Sequence, residues 1–263
     1  MGKLTEKLTH LHEILQDMGR VTVAYSGGID SSFLLHSACR ALGAEKVAAF
    51  QAVSCLTSRS QREKAGAIIR QLFADLRQYR EVEVDPLSWP EVRANTGERC
   101  YFCKNRLYRI FMAEIEDGQG GLLLDGTHAD DLKQQRPGLR AIRELGVRTP
   151  LLEAGLTKEE IRTAAREAGL PHHDRPADSC LATRIAPGRE IVHASLEVIE
   201  KTEYFLESLG FIGTRVRPFD GFSHIEIGNE DMARFNLLEN RHAVQHYFSD
   251  LGLGEVFLKI TGR

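Results

Sequence analysis

The stretch Ser26-Gly27-Gly28-Ile29-Asp30-Ser31 constrains this chain more than any other. A short apolar run, Val21-Thr22-Val23-Ala24-Tyr25, precedes it and reads as a strand. Ser31 to Leu42 reads as a helix. A strand, a glycine turn and a helix start together make an anion site. The glycines let the backbone come close to a phosphate, and the first helical N–H groups and the helix dipole favour negative charge there. The hydroxyls of Ser26, Ser31 and Ser32 can add donors. Two other phosphate loops do not fit. The form G-x-x-x-x-G-K-[ST] needs a lysine that is absent here, and G-x-G-x-x-G fails on spacing. A plain glycine turn would account for neither the serines nor the aspartate.

The segment resembles the SGGxDS signature of the PP-loop ATP pyrophosphatases, enzymes that adenylate a substrate and release pyrophosphate. The rest of the chain gives that resemblance its setting. With 263 residues the chain can bury a real core, in one large domain or two smaller ones. A 42% hydrophobic and 27% charged composition is that of a water-soluble globular protein. The net charge of −3 gives no electrostatic case for nucleic-acid binding. No apolar run reaches membrane-spanning length. Leu4, Leu8, Leu11 and Leu15 fall at helical spacing, so the N-terminus reads as an amphipathic helix rather than a signal peptide. These features point to the cytoplasm, where five cysteines are expected as thiols or metal ligands rather than disulfides.

Strands are expected at 20–25, 46–53, 79–84 and 121–125, and helices at 4–18, 31–42, 59–74, 103–117, 138–145 and 158–168. Thr157 followed by Glu160 has capping-box form, and Gly169 closes that helix. The alternation predicts an α/β fold, a parallel sheet with helices on both faces. Ligands then bind beyond the carboxyl ends of the strands, here those ending at Tyr25, Ser54 and Asp125. Residues 171–189 lack periodicity and read as an ordered functional loop or a junction. Beyond them a helix near 194–209, strands at 214–219 and 222–227, further helix and a strand at 255–260 predict a small α+β domain. The expected division is 1–185 and 186–263.

Arg99-Cys100-Tyr101-Phe102-Cys103-Lys104 carries a C-x-x-C pair just before a predicted helix, and Cys180 lies just before the second domain. Two thiolates at that spacing can face one metal centre. Three cysteines without a fourth fit a [4Fe–4S] cluster with one open iron. Zinc completed by His172 or His173 is the alternative. Arg99, Lys104, Arg106 and Arg184 are expected to lower the thiol pKa values. Cys39 reads as core. Cys55 lies at a strand end with nothing else to mark it, and Trp89 reads as a core or loop anchor.

Several further motifs follow in order: Asp125-Gly126-Thr127-His128-Ala129-Asp130-Asp131, Arg136-Pro137-Gly138, Ser179-Cys180 and Thr214-Arg215-Val216-Arg217. With the glycine loop they resemble, over nearly the whole chain, the LarE-type ATP-dependent sulfur transferases. That family prepares the nickel-pincer nucleotide of lactate racemase. The resemblance implies that the substrate is pyridinium-3,5-biscarboxylic acid mononucleotide, whose carboxylates become thiocarboxylates. ATP would rest on Ser26, Gly27, Gly28 and Ser31, with Gly126 and Thr127 beside it. Mg²⁺ would be held by Asp30 or Asp130, although Asp30 also reads as a helix-start residue and Asp130-Asp131 equally as a solvated turn. Arg215 and Arg217 match the family's phosphate-binding arginines, and Arg184 could act with them. Glu203 matches a family acidic position, with a solvated helix face the favoured reading.

Within the family, one type sacrifices the sulfur of a cysteine matching Cys180. The other holds a [4Fe–4S] cluster on three cysteines, and Cys100 and Cys103 place this chain with it. The resemblance also implies a homo-oligomer. The competing readings are tRNA thiolation, amide ligation with ammonia, sacrificial transfer from Cys180, and a zinc-stapled nucleotide-binding module.

Overall fold

The strands alternate their side chains between two apolar layers, and this sets the architecture. In β1 (Val21–Ala24), Val21 and Val23 join one core while Ala24 packs against the other. In β2 (Val47–Val53), Val47 and Ala49 face the first layer, and Ala48 and Phe50 the second. Both faces are therefore buried, as a parallel sheet requires. The sheet is parallel throughout, in the order β3-β2-β1-β4, with β3 at Gln78–Glu83 and β4 at Leu122–Leu124. The computed structural model describes residues 2–76, 78–118, 121–133, 137–175 and 179–259. Arg136, Asp178 and the end of the expected last strand at Ile260 lie outside the described residues.

One face is covered by α1 (Lys3–Met18), α2 (Ile29–Leu42), α3 (Arg59–Leu72), α7 (Pro150–Glu153) and α8 (Lys158–Glu167). The other is covered by α5 (Arg99–Gly118) and α6 (Pro137–Glu144). The leucine stripe of α1 docks as expected, with Leu11 and Leu15 buried and Leu4 and Leu8 half-buried against the same core. Each fully buried leucine contributes about 1.5–3 kcal/mol. The Thr157–Glu160 capping box forms, and Gly169 follows α8 with φ of 76°. Two short helices were not expected, α4 (Pro90–Arg93) and α7; each begins at a proline, which suits a first helical turn. The expected helix at 103–117 begins at Arg99 instead, so the C-x-x-C pair sits inside its first turn rather than ahead of it. Cysteine at a helix start carries no period signal to mark that boundary.

The C-terminal region is a small mixed sheet with its own core. Strands β5 (Arg215–Pro218) and β6 (Phe222–Glu226) pair antiparallel, and β7 (Glu255–Leu258) joins β6 in parallel. Helices α10 (Met232–Phe235) and α11 (Leu238–Asp250) pack on it through Phe235, Val244 and Phe248. Helix α9 (His193–Ser208) bridges the two regions. Its Leu196 and Ile199 join a core with Leu56, Val92 and Leu181, and its Leu206 joins the C-terminal core. Among the described residues no helix is long and apolar enough to cross a membrane.

Candidate active site

Strand β1 lies between β2 and β4, so the glycine loop opens at the middle of the sheet's carboxyl edge. Gly27 has φ of 77°, and a Cβ on it would lie 2.4 Å from the Cβ of Ala65 on α3. Only glycine meets both conditions. Ser31 Oγ donates to the Gly28 carbonyl (3.0 Å) and accepts from Ser26 N (3.2 Å), which pre-folds the turn. The first intrahelical bond of α2 runs from Ser32 N to Gly28 O, so the preceding amides have no helical acceptor and are placed for an anion.

Gly126 has a different duty from the one expected. A Cβ there would come within 3.1 Å of Ser31 N, so its bare backbone lets the end of β4 meet the first turn of α2. Thr127 likewise turns inward, its N–H donating to Asp125 Oδ1 (2.8 Å) and its hydroxyl to the same oxygen. Asp30 lies bidentate on Lys158 Nζ, at 2.6 Å from each oxygen. Asp130 accepts from the Lys158 backbone N–H (2.7 Å) and pairs with Lys133, and Asp131 is buried beside His128. The solvated-turn reading of that pair is therefore corrected: the two aspartates tie the turn to α8.

Asp125 joins the glycine loop to the cysteine helix. Lys104 on α5 pairs with it at 2.9 Å, and the Tyr108 hydroxyl donates to its other oxygen. Burial would raise the Asp125 carboxyl, but Lys104 and the bonds from Thr127 and Tyr108 outweigh burial and hold it at about 2. A carboxyl depressed in the fold stabilises fully above its unfolded value near 4, and that stability is lost as pH falls toward 2. The contribution near neutrality is about 2 kcal/mol. Thermal unfolding followed from pH 6 down to pH 2 should show this acid-limb loss, and Asp125→Asn should flatten it while lowering stability at neutral pH. An unchanged acid limb in Asp125→Asn would count against the linkage.

Cys100, Cys103 and Cys180 come to one region. Cys103 and Cys180 pack against the same apolar cluster, and each thiol feels the charge of the others. Asn95 and Arg99 hold the pieces together. Asn95, buried with φ of 52°, donates to the carbonyls of Ala186 (2.9 Å) and Arg189 (3.1 Å). Arg99 donates to Asn95 Oδ1 (2.6 Å) and the Ala182 carbonyl (2.9 Å). The expectation of lowered thiol pKa values is overturned for Cys103 and Cys180. Burial, then the neighbouring thiols, pushes Cys103 up to about 12, and burial raises Cys180. The basic neighbours are engaged elsewhere: Lys104 on Asp125, Arg106 on Glu91 and Arg184 on Glu203. His172 bonds Ser32 (3.0 Å) and His173 pairs with Asp174, so neither partners the thiols.

Arg184 is buried, forked onto both oxygens of Glu203 at 2.8 Å, and donates to the Ser179 carbonyl at 2.8 Å. Glu203 also accepts from Val216 N (2.9 Å), so the solvated-face reading of Glu203 is corrected. Arg215 and Arg217 flank the buried Val216. Arg217 is held by Glu226 (3.1 Å) and the Thr183 carbonyl, whereas Arg215 lines a cavity of about 640 Å³. Ser58 and Lys64 at the start of α3, Ser179, Arg184 and Glu203 also line it. A mononucleotide fits that volume. The cavity thus runs from the helix that supports Gly27 to the loop that carries Cys180.

Sequence reasoning passed over Cys55. Its neighbour Leu56 accepts from Leu181 N (2.9 Å), which puts Cys55 beside Cys180. Only the strand-end position hinted at this.

No family model matches the chain. It is 31% identical over 262 residues to pyridinium-3,5-bisthiocarboxylic acid mononucleotide synthase of Lactiplantibacillus plantarum, covering 100% of this chain and 93% of that protein. It is 32% identical over 253 residues to an uncharacterised Synechocystis protein, covering 96% and 88%. A protein of Thermus thermophilus described as a probable tRNA sulfurtransferase is 31% identical over 193 residues, 70% of this chain but 47% of that protein. A serine–glycine anion loop at the centre of a parallel sheet, and relatives matched almost end to end, lead to one assignment: the chain belongs to the LarE-like family of PP-loop ATP-dependent sulfur-transfer enzymes.

Proposed function

We propose that the chain activates the carboxylates of pyridinium-3,5-biscarboxylic acid mononucleotide with ATP and converts them to thiocarboxylates, a step toward a nickel-pincer nucleotide. The observation that carries this reading is the Asp125–Lys104–Tyr108 link. It fixes the helix bearing Cys100 and Cys103 to the strand end beside the glycine loop.

A carboxylate is a poor electrophile, so activation comes first. Ser26, Gly27, Gly28 and Ser31 hold the β- and γ-phosphates through amide and hydroxyl donors. The substrate carboxylate attacks the α-phosphorus and pyrophosphate leaves. Asp30, paired with Lys158 in the structure, is the residue proposed to meet Mg²⁺. Arg215 and the other cavity cations receive the substrate phosphate. In the 1–185 and 186–263 division, that site lies at the junction of the two parts.

Cys100, Cys103 and Cys180 are the proposed ligands of a [4Fe–4S] cluster. The donor set fits. Three thiols share one region, Cys100 is exposed, and thiols raised by burial and mutual repulsion become stable thiolates once a metal neutralises them. When bound, the cluster supplies a sulfide nucleophile for the acyl adenylate. Among the described residues the group close enough to share one ion is Cys55, Asp85 and His193. The single-ion zinc reading of the three cysteines therefore draws no support.

Anaerobic purification with iron analysis, paired with intact mass before and after turnover, tests the proposal. About four irons per chain and an unchanged mass are expected, by the cluster's stoichiometry. Conversion of Cys180 to dehydroalanine would establish the sacrificial route instead. Tight tRNA binding that falls steeply with salt would favour tRNA thiolation.

A further inference from the structure

Cys55, Asp85 and His193 bring a sulfur, a carboxylate oxygen and an imidazole nitrogen within 4.8 Å of one another. Three separate pieces of chain make this meeting. Cys55 follows β2 and Asp85 follows β3, and these strands pair in parallel, so both residues leave the sheet at the same edge. His193 is the first residue of α9, whose Leu196 and Ile199 pack onto Leu56 and Leu87 in the core below. The position of His193 is therefore fixed by packing rather than by a mobile tail. One Asp85 oxygen accepts from Leu87 N (3.1 Å), which orients the carboxylate and leaves its second oxygen for another partner.

We propose that Cys55, Asp85 and His193 form a three-ligand site for a thiophilic divalent cation of the Zn²⁺ class, with a fourth position open to solvent. The donor set suits such an ion: one thiolate, one imidazole and one carboxylate match zinc, whereas calcium and magnesium take oxygen donors. Metal–ligand bonds of about 2.0–2.3 Å put tetrahedral donors roughly 3.6 Å apart. The present separations need only a small closure, and His193 and Asp85 are exposed and can rotate to provide it. Burial, Asp85 and Cys180 raise the Cys55 thiol to about 11, and a bound dication would reverse that and hold the thiolate. Because Cys55 adjoins Cys180, the ion would stand beside the proposed sulfur carrier, with room for an exogenous sulfur ligand. The site draws on none of Cys100, Cys103 or Cys180, so it stands whether or not those residues hold a cluster.

The test uses the full chain carrying C100S, C103S and C180S, titrated with Zn²⁺ against a chromophoric chelator and separately with Co²⁺. One Zn²⁺ per chain is expected. Adding Cys55→Ser or His193→Ala should weaken it by more than roughly 100-fold, beyond the cost of an outer-shell partner. Cobalt should give a thiolate-to-metal absorption band that Cys55→Ser removes. Absence of zinc binding in the triple variant, or unchanged affinity in His193→Ala, overturns the proposal. Should the triple variant fold poorly, the same Co²⁺ comparison between the wild-type chain and His193→Ala decides it: loss of one cobalt supports the site, and equal spectra sink it.

Discussion

Gly27→Ala is expected to reduce substrate-dependent pyrophosphate release by at least roughly 100-fold while the fold survives. Two independent costs meet at this position. With φ of 77°, an alanine carries a left-handed penalty of about 1–2 kcal/mol. Its Cβ would also stand 2.4 Å from the Ala65 Cβ and 2.9 Å from the Ala65 Cα, which is backbone of α3 and cannot rotate away. The loop must shift. Phosphate binding depends on amides aimed at one point, and a displacement of about 1 Å can lower a rate by two orders of magnitude. Gly28 is the control. Its φ is −75° and an added Cβ meets only Ser26 Oγ at 3.4 Å, so Gly28→Ala should unfold within about 1 kcal/mol of the wild type. Ala65→Gly added to Gly27→Ala should return part of the activity by removing the clash while the backbone penalty stays. Wild-type pyrophosphate release in Gly27→Ala would show that the loop does not hold the nucleotide.

Gly27 was legible because its signal is local: strand, turn and helix start follow one another within a dozen residues. The same holds for the alternation that gave the parallel sheet, for the leucine stripe of α1 and for the Thr157 capping box. Groups that meet across long stretches of chain were not legible. Lys104 looks like a basic neighbour of Cys103, yet its ammonium faces Asp125. The expected drop in thiol pKa therefore failed: counting nearby cations along the chain says nothing of which carboxylates already hold them. Glu203 looked like a solvated helix position because its partners are Arg184 and the backbone of Val216. Cys55 carried no motif, and its company of Asp85, His193 and Cys180 arises from strand pairing and from the docking of α9. The start of α5 was placed four residues late because a C-x-x-C pair tolerates helix and loop alike.

Arg184→Ala is expected to cost about 3–5 kcal/mol of folding stability, the range found when one partner of a buried ion pair is removed. Arg184 is 5% exposed. Its Nε and Nη2 each lie 2.8 Å from a Glu203 oxygen, and its Nη1 reaches the carbonyls of Ser179 (2.8 Å) and Cys180 (3.2 Å). Truncation leaves a carboxylate buried without its cation and frees the loop that carries Cys180. At roughly 2–4 °C per kcal/mol for a chain of this size, the melting temperature should fall by about 6–20 °C. Arg184→Lys keeps the charge but cannot fork, so an intermediate loss is expected. Glu203→Gln should also destabilise, by about 2 kcal/mol, and a double-mutant cycle should show coupling of at least about 1 kcal/mol. The alternative is that Arg184 mainly binds substrate phosphate, as the family resemblance implied. Arg184→Ala would then melt like the wild type and raise KM alone, and Glu203→Gln would leave stability untouched. The geometry argues for the staple, because a guanidinium with four acceptors already in place, two of them on one carboxylate, has little left to offer a phosphate. Thermal melts of the two single variants and the double variant, set beside their KM values, separate the two roles.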